Sequence, residues 1–297
     1  MSVRLRPYAG WDDLAEMRAI VAEGLREAPD RSYVHPGDAS WWVGWPPKTE
    51  RRLAELCVVW EEDGRILGWA MSDDGDIGDF VAPTLLDTPD DESFRRAVDR
   101  WVRSTHADAL RYASDVDAVG CARLEALGYR ATGDAIVVFR RSLDGASADP
   151  AVRVRALDRG DDVRGRASVT HAAFGVVRPL ADYVEEYRRF AASPAYPRGW
   201  DLVTEEEGGR AAACCIAWPD PISASGNFEP VATHPSFARR GFATAVIRAG
   251  MVRLREAGMT WAIVRTPLSN TRAQALYRSI GFEEWHRLLA FSRAGGG

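Results

Sequence analysis

The stretch THPSFARRGFATAVI, Thr233 to Ile247, sets an arginine pair and a glycine between a histidine–proline turn and an apolar run with helical spacing. Ala243, Val246, Ile247, Gly250, Met251 and Leu254 fall at i, i+3, i+4, i+7, i+8 and i+11, the single stripe of an amphipathic helix, and Gly258 supplies its stop. Two residues almost without side chains, Gly241 and Ala243, sit where that helix begins. Either they only make a tight turn, or they leave the first backbone N–H groups bare so that a phosphate can rest against them. The preceding strand, NFEPVAT, delivers this turn to a strand end, where α/β sheets bind their ligands.

About thirty residues on, SNTRAQALYRSIGF predicts a second helix. Ser269 and Asn270 form its N-cap pair, Ala273, Leu276, Tyr277 and Ile280 its apolar stripe, and Gly281 its end. Tyr277 on the inward stripe is either a core tyrosine whose hydroxyl finds a partner or a phenol held at a ligand site as a proton donor.

Working outward, the chain repeats itself. RLRPYAGWDD from Arg4 matches RVRALDRGDD from Arg153, so that Arg4, Arg6, Asp12 and Asp13 recur at Arg153, Arg155, Asp161 and Asp162. LEALGYRATGDAIVVFRRS resembles LYRSIGFEEWHRLLAFSR at the far ends, aligning Gly128 with Gly281 at nearly the same offset. DGASADP, Asp144 to Pro150, reads as a linker. We therefore expect two copies of one α/β module with a mixed sheet, residues 1–145 and 150–297. Each has a strand, helices, a hairpin turned by EEDGR or EEGGR, and then strand, helix, strand, helix, strand.

Composition bounds the function classes. A net charge of −5 argues against nucleic acid as the main partner. The basic residues are nearly all arginine, Lys48 being the one lysine. No apolar run reaches the ~18 residues of a membrane span, and the opening MSVRLRPYAGWDD lacks an apolar leader. The four cysteines (Cys57, Cys121, Cys214 and Cys215) and five histidines show no metal-ligand spacing. The expectation is a cytoplasmic protein without a metal.

Together the two helix-opening segments resemble the GNAT superfamily of acyl-CoA-dependent N-acyltransferases. HPSFARRGFATAVI is similar to its pyrophosphate turn, Arg/Gln-x-x-Gly-x-Gly/Ala, and NTRAQALYRSIGF to its following Asn…Tyr helix. The first position of the turn, normally Arg or Gln, is Ala238 here, which implies weaker coenzyme affinity. The resemblance implies acetyl-CoA as co-substrate, with Arg239, Arg240, Gly241, Phe242, Ala243 and Thr244 holding its pyrophosphate through backbone N–H groups. By the same resemblance Val231, Ala232 and Thr233 bind the pantetheine arm, Asn270 contacts the coenzyme near its middle, and Tyr277 protonates the leaving thiolate.

Glu229, on the strand lining that centre and facing the same side as Asn227, is the candidate base for a small-molecule amine acceptor. The alternative for Glu229 is a strand-end carboxylate satisfied by an arginine. In the first copy the equivalents of Asn270 and Tyr277 are Asp117 and Leu124, no Gly-x-Gly/Ala turn occurs, and Asp90, Asp91 and Glu92 stand where phosphate would bind. That copy reads as degenerate, a layout with precedent among tandem members of the superfamily.

Trp41, Trp42 and Trp45 in SWWVGWPP are either an interface or an acceptor surface. In the second copy Tyr183, Tyr187 and Phe190 share a helix face, with Asp182, Glu185 and Glu186 on the polar side. Two other readings stay open: an acyl-CoA-binding sensor without turnover, and a Fem-type aminoacyl transferase, which calls for a basic groove. A monomer and a homodimer are both compatible with the duplication.

Overall fold

In the computed structural model the described residues are 4–32, 34–45, 53–73, 75–106, 108–149, 151–157 and 163–293. Pro46, Pro47, Lys48, Pro150, Asp161 and Asp162, which the sequence reading invoked, lie outside them. The chain runs β1 (Arg4–Pro7), α1 (Trp11–Glu27), α2 (Pro36–Gly44), α3 (Leu53–Leu56), β2 (Cys57–Glu62), β3 (Arg65–Asp73), β4 (Asp76–Val81), α4 (Pro89–Thr105), β5 (Leu110–Ser114), α5 (Ala118–Ala126) and β6 (Tyr129–Ser142). The same order follows as β7 (Val154–Ala156), α6 (Val163–Ala173), α7 (Leu180–Ala192), β8 (Asp201–Glu205), β9 (Ala211–Asp220), β10 (Ser225–Thr233), α8 (Phe242–Glu256), β11 (Trp261–Pro267), α9 (Thr271–Ser279) and β12 (Glu283–Arg293).

Local signals place these elements where expected. Asp63 and Gly64 take positive φ and turn β2 into β3. Thr88, Asp117 and Asn270 cap α4, α5 and α9 through side-chain oxygens. The α8 stripe is rotated slightly from the expected one. Phe242 and Ala245 are buried with Val246, Ile247, Gly250, Met251 and Leu254, while Ala243 is only half-buried.

All strands of the described residues join one mixed sheet of order β1-β2-β3-β4-β5-β12-β6-β11-β10-β9-β8-β7. The order is a palindrome with one twist at its centre. β12, the last strand of the second half, pairs with β5 of the first, and β6 pairs with β11 (Trp261↔Ser142 to Pro267↔Ile136). Each half is thus completed by the other's final strand, and β6 and β12 pair along nearly their whole length.

A second connection lies on one face of the sheet. Gly37 in α2 approaches β9 so closely that a Cβ there would meet the Trp218 ring at 2.4 Å. Trp45 is buried, stacks on Trp41 at 4.9 Å and packs edge-on against Tyr187 and Phe190 of α7. One apolar core therefore runs through both halves, and Trp41 and Trp45 form the interface.

Candidate active site

The β10–β11 ladder covers only Ser225–Phe228 against Trp261–Val264. Beyond it β10 continues to Thr233 and β11 to Pro267 without pairing to each other, so the two parallel strands splay apart toward their C-terminal ends. A bulge lies at the fork: Phe228 pairs with Ala217 but Val231 with Cys215, leaving Glu229 and Pro230 opposite one residue. The indole N–H of Trp218 donates to the Glu229 carbonyl at 2.6 Å.

After the bulge, the His234 N–H donates to the Ala212 carbonyl across the β9 ladder. By antiparallel alternation the Ala232 main chain also faces β9, whereas the N–H and C=O groups of Val231 and Thr233 face the open fork.

The loop from the fork to α8 holds Arg239 at φ 63° and Gly241 at φ 82°. α8 opens with a main-chain bond from the Ala245 N–H to the Gly241 carbonyl at 3.0 Å. The N–H groups ahead of it form the bare helix end, and a Cβ on Gly241 would meet nothing within 4 Å. Open space and the positive end of the helix dipole thus coincide. The Arg240 guanidinium stacks on Phe237 and Phe242, which holds its charge beside the loop.

Across the fork, Asn270 Oδ1 accepts the Ala273 N–H at 3.2 Å and starts α9. Tyr277 is 5% exposed, edge-on to Phe139 of the exchanged strand β6. Burial, then the negative charge of Glu229, hold its phenol above its ordinary value, so it stays protonated at neutral pH. Glu229 thus lies within electrostatic reach of the Tyr277 phenol, though Tyr277 does not line the cavity described below.

Beside the fork lies a group that sequence reasoning missed. Asp38, in α2 of the first half and fully buried, accepts the Asn227 Nδ2–H at 2.8 Å and the His35 N–H at 2.6 Å, and is ion-paired with Arg265. Burial raises its carboxyl above the usual range, opposed by Arg265 and the two donors. All three neighbours donate, an arrangement that only the ionised carboxylate satisfies. Buried His35, whose Nδ1 accepts the Gly37 N–H at 3.0 Å, is pushed down to about 3 by desolvation and then by Arg265. The one available signal, a His35…Asp38 capping box, does not reveal the long-range partners.

A cavity of about 220 Å³ opens at the same place, lined from the second half by Glu229 and Arg265 and from the first by Trp42, Asp73 and Asp76. Asp182, Glu185 and Glu186 do not line it. Glu185 and Glu186 pair instead with Arg188, Arg189 and Arg178 around α7.

The equivalent fork in the first half is narrower, holding a cavity of about 50 Å³. β4 and β5 pair only at Asp76–Ile77 with Leu110–Arg111 and then diverge. The gap holds Asp79, which binds Arg111 at 2.8 Å and is also paired with Arg95. Burial would raise the Asp79 carboxyl, but the two guanidinium charges outweigh it and leave it at about 2. At the head of α4, fully buried Asp91 accepts the Asp87 N–H at 3.0 Å and pairs with Arg123 at 3.2 Å. A carboxylate of the chain itself thus occupies the helix end.

Among the described residues, no group of three or more His, Cys, Asp or Glu side chains is placed to hold a metal. No helix there is long and apolar enough to cross a membrane.

Residues 172–282 match the Acetyltransferase (GNAT) family. The mycothiol acetyltransferase of Kocuria rhizophila is 29% identical over 180 residues, covering 54% of this chain and 58% of that protein, so the match spans little more than half of the relative's length. A tandem GNAT protein from the clavulanic acid biosynthesis pathway superposes over 100% of both chains with a TM-score of 0.68 at 14% identity. A GCN5-related N-acetyltransferase from Sphaerobacter thermophilus covers 97% of this chain and 94% of its own, with a TM-score of 0.60 at 18% identity. At such identities the solved structures carry the fold alone. The second half of this chain thus carries a match to the GNAT acetyltransferase family, and the chain as a whole shares the fold of a tandem GNAT protein.

Proposed function

We propose that the chain transfers an acetyl group from acetyl-CoA to the amine of a small-molecule acceptor, at the β10–β11 fork. The observation that carries this reading is the bare end of α8 opening on that fork, with a protonated, buried Tyr277 and Glu229 coupled across it. Val231 and Thr233 would bind the pantetheine amides through their open main-chain groups, beside Ala232. The N–H groups of Arg239 to Thr244 would hold the pyrophosphate, and the Asn270 amide would contact the coenzyme midway.

The amine nitrogen bonds to the acetyl carbonyl carbon and the C–S bond breaks. The amine proton leaves to Glu229, directly or through water, and Tyr277 gives its proton to the thiolate. General acid or base help of this kind contributes ~10²–10⁴-fold.

The catalytic module in this reading is residues 150–297, and residues 1–145 form a copy without a coenzyme site. Its fork is narrowed by the Asp79–Arg111–Arg95 network and its helix end is occupied by Asp91. The free cysteines fit a reducing cytoplasm. The test is release of CoA thiol from acetyl-CoA with a panel of amines. Amine-dependent release that disappears in Tyr277→Phe supports the proposal. Binding of acetyl-CoA with no release for any amine supports the sensor instead.

A further inference from the structure

Glu229 is offered to the fork from a bulge, where a ladder is locally broken. Pairing with β9 runs in one register as far as Phe228↔Ala217 and resumes one residue out of step at Val231↔Cys215. Between them Pro230 has no N–H to give, so β10 is short of a ladder donor at the residue next to the candidate base. Val231 and Ala232 are held again by the resumed ladder, paired with Cys215 and Cys214. Glu229 stands before that point, within the gap.

One side chain reaches into the gap from β9. Trp218, the register partner of Asn227, is 3% exposed, and its indole N–H donates to the Glu229 carbonyl at 2.6 Å. That bond sets the plane of the peptide leaving Glu229 and so the direction of its Cα–Cβ bond. The ring has little room to swing away. A Cβ at Gly37 would lie within 2.8 Å of Trp218 Cβ, Cγ and Cδ2, so the backbone of α2 rests directly on the indole. α2 is itself tied down at this point: the Gly37 N–H donates to His35 Nδ1 at 3.0 Å, and Asp38 accepts from Asn227. The first half thus clamps a ring whose N–H holds the main chain of Glu229 in the second.

Resting on the acetyl-transfer reading, we propose that Trp218 is a positioning residue: its indole N–H, seated by α2, aims the Glu229 carboxylate at the attacking amine. Trp218 does not line the cavity beside Glu229 and acts only through it. Losing the bond therefore weakens the chemical step, where a base misplaced by about 1 Å can cost about 10²-fold. Coenzyme binding is spared, because that reading assigns it to main-chain groups from Val231 onward. An indole that merely satisfied its own buried N–H would affect stability alone.

Two variants separate the donor from the bulk. Trp218→Phe keeps an aromatic ring and removes the N–H. In Trp218→His the imidazole overlays the five-membered ring of indole and places Nε2–H where Nε1–H was, while the benzo ring is lost. The measurements are kcat for thiol release from acetyl-CoA, acetyl-CoA affinity by calorimetry, and urea melts. The amine is the fastest of a panel of alkylamines, amino sugars and arylamines. Trp218→Phe should lower kcat by about ten- to a hundredfold, with acetyl-CoA affinity held within about twofold. Trp218→His should be the less stable of the two, yet keep kcat within about fivefold of wild type. Gly37 lies inside α2, where alanine suits the backbone, so Gly37→Ala perturbs the ring from the other half. It should lower kcat by about fivefold or more at unchanged acetyl-CoA affinity, and it carries the test if Trp218→Phe does not fold. A Trp218→Phe or Gly37→Ala enzyme with wild-type kcat, or kcat values of the Phe and His variants that follow their stabilities, overturns the proposal. If wild type releases no thiol with any amine, the acetyl-transfer reading itself fails and takes this inference with it.

Discussion

Replacing Asp38 by asparagine keeps the shape of the side chain and removes the charge that joins the two halves beside the fork. Three donors converge on this carboxylate: the His35 N–H at 2.6 Å, the Asn227 Nδ2–H at 2.8 Å and the Arg265 guanidinium. An asparagine has one acceptor oxygen and one NH₂ group, so at least one donor faces a donor. The Arg265 side chain is only 11% exposed and loses the anion beside it. Breaking a buried pair from one side costs about 3–5 kcal/mol, a large share of the about 5–15 kcal/mol that holds a typical fold.

With a urea m-value of about 3 kcal/mol/M, the unfolding midpoint of Asp38→Asn should fall by about 1 M or more. The pair can be isolated by adding Arg265→Gln. The double variant should then be less destabilised than the sum of the single ones by about 1–3 kcal/mol. A midpoint moved by less than about 0.3 M, or strict additivity, would refute the assignment of Asp38 as the anchor between the halves.

Further outcomes follow from the same geometry. Tyr277→Phe should lower kcat by about 10²-fold or more while leaving the KM for acetyl-CoA near its wild-type value; a raised KM with unchanged kcat would make Tyr277 a packing residue. His35 is neutral in the fold with its pKa at about 3, while the unfolded chain takes up that proton near 6.5. The unfolded state therefore holds the extra proton between these values, and stability drops as pH falls through this window by up to about 1.4 kcal/mol per pH unit. His35→Asn keeps an acceptor for the Gly37 N–H and should flatten that slope in urea melts at pH 3.5 to 6.5; an identical slope contradicts the assignment. Because β6 and β12 are exchanged, cutting an engineered protease site within residues 144–149 should leave the halves together on gel filtration. Free fragments would contradict the interlock.

The parts of the site legible in the sequence are those with local causes. Gly241 before a periodic apolar run announces a bare helix start, and Asn270 announces a cap, because each depends on neighbours within a few residues. The exchange of β6 and β12 is invisible at that level. A strand's hydrophobic alternation states which face is buried, not which strand lies beside it.

The Asp38–Asn227 contact spans 189 residues, and nothing within α2 predicts it. Trp41 and Trp45 turned out to be interface, while Trp42, indistinguishable from them in sequence, lines the cavity. The narrowed fork of the first half was legible only in part. Asp91 stood out as an anion at a helix start, but Arg111 and Arg95 neutralising Asp79 inside the fork required three elements to come together.

The central claim is that one of two similar forks takes acetyl-CoA, and its most direct test is a count. Titration calorimetry of acetyl-CoA should give one site per chain in wild type and none in Gly241→Asp. That variant is expected to fold: a Cβ at Gly241 meets nothing within 4 Å, and aspartate tolerates a left-handed N-cap better than most residues. Its carboxylate, however, stands at the helix end where the pyrophosphate would rest. Two sites per chain, or an affinity unchanged by Gly241→Asp, would contradict the account.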